Sequence, residues 1–173
     1  MEQGNKLSVI FLILIFLYSI KMSSTEISEK ERLLIKNLIT NINSLDTSML
    51  IKNFYFPLIN ENIKYVIDTK TDTVSIELFE QNIEKIFPKK FRETLNKINF
   101  KNEELKFIED KGKCNLNTLE IYKNNENQII IDWTIHEIVF ANTEDEDCSE
   151  YAFVFVFKMI NNQLVFENFL IAG

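Results

Sequence analysis

The chain has 173 residues, 46% of them hydrophobic and 26% charged, and its formal net charge is −7. This apolar fraction is enough for a packed core and excludes an intrinsically disordered protein. Three glycines and two prolines exclude a collagen-like chain. The acidic balance argues against a nucleic-acid partner, because neutralising phosphates requires clustered lysine and arginine.

An apolar segment lies near the N-terminus. Residues 7–20, LSVIFLILIFLYSI, are nearly all apolar and are flanked by Lys6 and Lys21. This is the length of a signal-peptide hydrophobic region, whereas a membrane-spanning helix needs about 20 residues. We therefore expect residues 1–22 to be a signal peptide or an uncleaved anchor, with membrane contact only through 7–20 in the second case. Residues 23–173 are expected to form a single domain, exported to the periplasm or the extracellular space.

The two cysteines, Cys114 and Cys148, form an even pair in what the N-terminal segment predicts to be an oxidising compartment. The sequence leaves open both a disulfide and two free thiols. The strand registers estimated below set the cysteines several residues apart along the sheet, and a bridge requires Cα atoms within about 7 Å. One histidine and two cysteines do not make a zinc ligand set, and we expect neither a metal nor a cofactor.

The first hundred residues show helical periodicity. Ser28 and Glu31 have the spacing of a capping box, and apolar residues at helical spacing follow them. The predicted elements are a helix over 28–43, a short helix capped by Asp46, a short strand over Ile63–Ile67, a helix from Ser75 to Pro88, and a helical segment with Phe91, Leu95 and Ile98 facing inward.

Beyond residue 104 the apolar period changes from 3.6 to 2, which indicates strands. Short connections between them predict an antiparallel meander. Helices that precede strands predict an α+β fold, with N-terminal helices packed on one face of a curled, cone-like sheet. The predicted strands are Leu119–Tyr122, Ile129–Phe140, Tyr151–Lys158 and Leu164–Ile171, with turns at Asn124–Asn127 and Asn161–Asn162 and an acidic loop over 142–150.

This order of elements resembles the nuclear transport factor 2-like (cystatin-like α+β cone) superfamily, in particular its small exported bacterial members. The resemblance covers about Ser28 to Gly173. It implies a cone whose concave side can hold a pocket, where the superfamily's enzymes place acid/base residues, although none of their motifs matches here residue by residue. The motifs that carry the resemblance are Phe56-Pro57-Leu58, a helix with Phe79 that ends in Ile86-Phe87-Pro88 and is followed by Phe91, and the terminal hairpin YAFVFVFKMINNQLVFENFLIAG.

The candidate catalytic residues lie on the longest predicted strand. Asp132, Thr134 and His136 share one face, and a histidine near a carboxylate can act as a general acid or base if it lies in a pocket. Tyr151, at the start of the next strand, could reach the same region. Alternatively, the strand alternates in the ordinary way, so that Trp133 packs on the helices and the polar row faces water.

Two further features have simpler explanations. The carboxylates of residues 144–147 could bind calcium but lack the EF-hand pattern. The aromatic row of residues 151–157 could line an apolar cavity, although such a row is more often core. We expect a non-catalytic protein that binds a protein partner or a small apolar ligand. The alternative is a small isomerase or hydrolase that uses Asp132 and His136, and the sequence leaves open a homodimer formed through the sheet.

Overall fold

The computed structural model describes residues 26–112, 114–140 and 147–173, so the predicted signal segment and the centre of the acidic loop lie outside the described residues. The predicted α+β class is confirmed: helices come first, and a curled antiparallel sheet follows. None of the described helices is both long enough and apolar enough to cross a bilayer. The helices are α1 (Glu29–Ser44), α2 (Thr47–Leu50), α3 (Glu61–Ile67), α4 (Ile76–Gln81), α5 (Ile83–Ile86) and α6 (Lys89–Leu95), with a 3₁₀ turn at Ile51–Asn53. The strands are β1 (Leu105–Asp110), β2 (Leu116–Lys123), β3 (Gln128–Phe140), β4 (Asp147–Ile160) and β5 (Gln163–Ala172).

Side-chain caps mark the first residues of α1, α2, α3 and α4. The Ser28–Glu31 capping box is confirmed, and the Asp46 and Ser75 side chains accept hydrogen bonds from the first turns of α2 and α4. The strand predicted at Ile63–Ile67 is wrong, because these residues belong to α3. The Asn60 side chain accepts a hydrogen bond from the Ile63 amide at 2.9 Å and starts this helix.

The five strands form one meander in the order β1-β2-β3-β4-β5. The four predicted strands are present and longer than predicted, and β1 was not predicted at all. The turn between β4 and β5 is confirmed at Asn161 and Asn162, which both have positive φ, a conformation that asparagine tolerates. Bulges in the β3–β4 and β4–β5 pairings add to the bending of the sheet.

Aromatic side chains fill the space between the helices and the inner face of the sheet. Phe91 of α6 packs on Trp133 and on Phe155, with ring centroids 5.3 and 5.2 Å apart. Phe155 in turn stacks on Phe169 of β5 at 4.4 Å. Burying each such ring contributes about 1.5–3 kcal/mol. The Trp133 indole N–H donates a hydrogen bond to the side-chain oxygen (Oδ1) of Asn117 at 2.8 Å, so the only polar atom of the indole has a partner inside the core.

A disulfide joins Cys114 to Cys148, with Cα atoms 5.1 Å apart. The expected separation of the two along the sheet does not prevent the bond. Cys148 pairs with Ile138 on β3. Cys114 lies in the β1–β2 turn, two residues before β2 begins, and has a positive φ. Because β3 separates β2 from β4, the outer strands of that triplet are about 10 Å apart, so the Cα distance of 5.1 Å is reached only because Cys114 lies outside the β2 ladder.

Candidate functional site: the outer face of the sheet

The parity of β3 decides which side chains face the helices. Trp133 is only 3% exposed and lies in the core with Ile131 and Ile135. Because side chains alternate along a strand, Asp132, Thr134 and His136 lie on the opposite face, where each is partly exposed. We call this side of the sheet the outer face. It comprises Lys106 and Ile108 of β1, Thr118, Glu120 and Tyr122 of β2, Ile130, Asp132, Thr134 and His136 of β3, Glu150, Ala152, Val154 and Val156 of β4, and Leu170 and Ala172 of β5.

The structure does not bring Asp132 and His136 together. They are four residues apart on one strand, which separates their Cα atoms by about 13 Å. His136 instead pairs with Glu150, directly opposite on β4, with Nε2 and the carboxylate 3.1 Å apart. The Thr134 hydroxyl donates to the Asp132 carboxylate at 3.2 Å.

Tyr151 does not join these residues. It pairs with Ile135, whose side chain lies in the core, so Tyr151 is on the inner side of the sheet. Its ring lies near the C-terminal Gly173 and is partly exposed at the margin of the core. The three candidate catalytic residues are therefore divided between two faces and cannot act on one substrate group.

The pKa of the Asp132 carboxyl group is raised above its ordinary value. Burial raises its pKa, the negative charges of Glu120 and Glu150 raise it further, and the hydrogen bond from Thr134 only partly opposes them. Glu120 is the direct cross-strand neighbour of Asp132. Burial raises the pKa of Tyr122, and the negative charges of Asp132 and Glu120 raise it further. Within the described residues, Asp132 forms no ion pair.

Apolar side chains also lie on the outer face. By register, Val154 lies next to Asp132 on β4, and Leu170 follows on β5 with 45% of its surface exposed. Ile108 on β1 is 56% exposed. Ile130 and Val156, neighbours across β3 and β4, are buried but lie outside the main core. The outer face thus combines apolar contact area with the Asp132 carboxylate, which forms no ion pair among the described residues.

Sequence reasoning missed Glu120 and Glu150, because both are defined by register rather than by a local pattern. The signal that could have found Glu120 is the short turn between β2 and β3. The turn between β2 and β3 sets Glu120 opposite Asp132, and the β3–β4 pairing sets Glu150 opposite His136.

The cavities lie elsewhere. A cavity of about 20 Å³ on the inner face is bordered by Trp133, Phe153 and Phe169. A groove of about 140 Å³ between α1, the 3₁₀ turn and β5 is bordered by both apolar and polar side chains, among them Leu34, Asn41 and Lys52. Both are smaller than the 300–1,000 Å³ of ordinary ligand pockets, and neither is lined by Asp132, Thr134 or His136.

Among the described residues, no group of three histidine, cysteine, aspartate or glutamate side chains could hold a metal ion. The carboxylates at 144–146 lie outside these residues. The chain matches no protein-family model, no curated protein and no solved structure.

Proposed function

We propose that this protein is a non-catalytic binding protein that contacts a protein partner with the outer face of its sheet. The observation that carries the proposal is the filled interior. In the aromatic row that could have lined a cavity for a small apolar ligand, Phe155 and Phe157 are buried core, and the cavity beside the row measures about 20 Å³. That volume accommodates about one water molecule.

The outer face indicates the chemistry of the partner. Asp132 lies between Glu120 on β2 and Val154 on β4, and burial and the negative charges of Glu120 and Glu150 raise its pKa, so its charged form is disfavoured in the free protein. A lysine or arginine of a partner would neutralise this group, while Leu170 and Ile108 would supply apolar contact area. The partner is therefore a protein with a basic surface patch that also presents apolar side chains.

Export and family membership belong to the same proposal. The Cys114–Cys148 disulfide is compatible with an oxidising compartment, where such bonds persist. A long N-terminal helix, further helices and a curled terminal meander support a place in the nuclear transport factor 2-like superfamily. The enzyme alternative needs a reactant-sized cavity at Asp132 and His136, and the separation of these residues argues against it.

The proposal is tested by site-specific photo-crosslinking in the exported proteome of the source cells. A photoreactive phenylalanine analogue at Leu170 reports on the outer face, and the same analogue at Tyr65 of α3, which is 80% exposed, is the matched control. We expect protein adducts at Leu170 that Tyr65 does not give. Adding Asp132→Arg should reduce them at least about tenfold, because it replaces the attractive charge with a repulsive one. Equal adducts at both positions, or adducts unaffected by the charge reversal, would contradict the proposal.

A further inference from the structure

The two edges of the sheet differ in how their backbone groups are satisfied. On β5, which forms one edge, the outward carbonyl oxygens of Leu164 and Phe169 accept hydrogen bonds from the side chains of Asn53 at 2.6 Å and Asn62 at 2.9 Å. The helical region therefore covers that edge. Covered edges are protected from pairing with another strand.

The opposite edge, β1, is open. The Lys111 amide donates to the Asn115 carbonyl at 3.0 Å, which fixes the alternation of hydrogen bonds along the β1–β2 pair. The backbone groups of Phe107 and Glu109 therefore point toward β2. The backbone groups of Lys106, Ile108 and Asp110 point outward, away from β2. Among the described residues, no group donates to or accepts from the outward backbone groups of Lys106, Ile108 and Asp110.

We propose that β1 pairs with β1 of a second copy of this chain, antiparallel and about a two-fold axis at Ile108. Hydrogen bonding requires outward residues to face outward residues across the new pair. A single register uses all three, with Ile108 opposite Ile108 and Lys106 opposite Asp110 of the partner copy. That register also places opposite charges across the interface twice, so charge complementarity and hydrogen bonding select the same alignment.

The register also fixes how the two copies are arranged. Because directly opposite residues share a face, the outer faces of both copies lie on the same side of a continuous ten-stranded sheet. The Ile108 side chains of the two copies then lie beside each other on the outer face. A lysine on an edge strand ordinarily discourages pairing. In this register the Lys106 of each copy faces Asp110 of the other copy. Within its own chain, the Lys106 Nζ lies 3.6 Å from the Glu120 carboxylate, which is a long ion-pair contact.

A charge-reversal experiment tests the register. The full chain is measured by analytical ultracentrifugation over a concentration series, alone and as variants. We expect the unmodified chain to dimerise, and Lys106→Glu and Asp110→Lys each to weaken dimerisation at least about tenfold. An equimolar mixture of the two variants should dimerise again, since each chain then presents to the other the charges that its own copy lacks. Lys70→Glu, an exposed lysine on another part of the surface, is the matched control and should dimerise normally.

Ile108→Pro provides an independent test. Proline removes an outward amide at the centre of the proposed interface and leaves the bonds to β2 intact, so the variant should stay folded by circular dichroism and lose dimerisation. A monomeric unmodified chain at 100 µM would overturn the proposal. So would a dimer that both charge reversals leave unchanged, because association would then occur through another part of the chain, such as the apolar segment 7–20. If the mixture of the Lys106→Glu and Asp110→Lys variants does not dimerise, the proposal is also overturned, because that result excludes this register.

Discussion

Replacing Asp132 with asparagine is expected to stabilise the protein at neutral pH. The folded-state pKa of Asp132 is raised above its ordinary value of 3.8, first by burial and then by Glu120 and Glu150. A carboxyl group with a raised pKa binds its proton more readily in the folded protein than in the unfolded one. Its contribution to stability is therefore present below about pH 3.8 and is lost as the pH rises through the folded-state pKa.

The magnitude follows from the register. Asp132 lies directly opposite Glu120, and a like-charged cross-strand pair costs about 0.2–1 kcal/mol. Asparagine has the same shape and keeps an oxygen to accept the hydrogen bond from Thr134. We therefore expect Asp132→Asn to gain up to about 1 kcal/mol at pH 7, or a rise in Tm of up to about 4 °C.

The assay is thermal unfolding at pH 7 and at pH 3, with Asp72→Asn as the matched control. Asp72 is exposed, and its replacement by asparagine removes the same charge from a part of the surface remote from the sheet. The gain should appear at pH 7 for Asp132→Asn alone and disappear at pH 3, where the carboxyl group is neutral. A variant that is less stable than the unmodified chain at pH 7, or a gain that persists unchanged at pH 3, would refute the reasoning.

Three further predictions concern groups that hold the fold together. Glu31→Gln should lower the free energy of unfolding by about 1–3 kcal/mol at pH 7. Burial alone would raise the pKa of Glu31, but the hydrogen bonds from Lys123 and Ser28 outweigh it and hold the pKa below 4.5. The difference in urea unfolding between the variant and the unmodified chain should therefore vanish as the pH falls through that lowered pKa. Replacing Cys114 and Cys148 with serine should cost about 3–4 kcal/mol by urea unfolding, the loss expected for a loop with a sequence separation of 34, and a loss below 1 kcal/mol would mean that the bond does not constrain the unfolded chain. Asn117→Leu should cost about 1–3 kcal/mol because it leaves the Trp133 N–H buried without its acceptor, and an unchanged melting temperature would contradict that assignment.

Local patterns predicted the elements whose signals lie within a few residues. The Ser28 box, the Asp46 and Ser75 caps and the Asn161–Asn162 turn each have a mechanism that acts over one turn of chain, and each is found in the structure. Residues Ile63–Ile67 were predicted to form a strand but belong to α3. A stretch of five mostly apolar residues is compatible with either a strand or a helix, and the Asn60 cap, which indicates a helix, was not considered.

The candidate site depends on information that a single sequence does not carry. That Asp132 and His136 share a face follows from alternation. Their neighbours Glu120 and Glu150, and the division of Tyr151 from them, depend on the register between strands. The filling of the inner face was also beyond the sequence, since the same row of phenylalanines could line a cavity or close it. Tertiary packing of Phe91 and Phe155 closes it.

The most direct test of the central claim, that the interior is packed core, uses Trp133, the single tryptophan of the chain, as a reporter beside the small inner cavity. Its fluorescence is followed while benzene, a medium-chain fatty acid and a steroid are added in turn. We predict no saturable change for the unmodified chain. The Phe91→Ala variant lacks the ring packed on Trp133, so its tryptophan fluorescence should change when benzene is added. This variant is the positive control, because it tests whether the assay detects binding in the interior. A saturable change in the unmodified chain would contradict the account, because it would mean that the core between the helices and the sheet opens to hold a ligand.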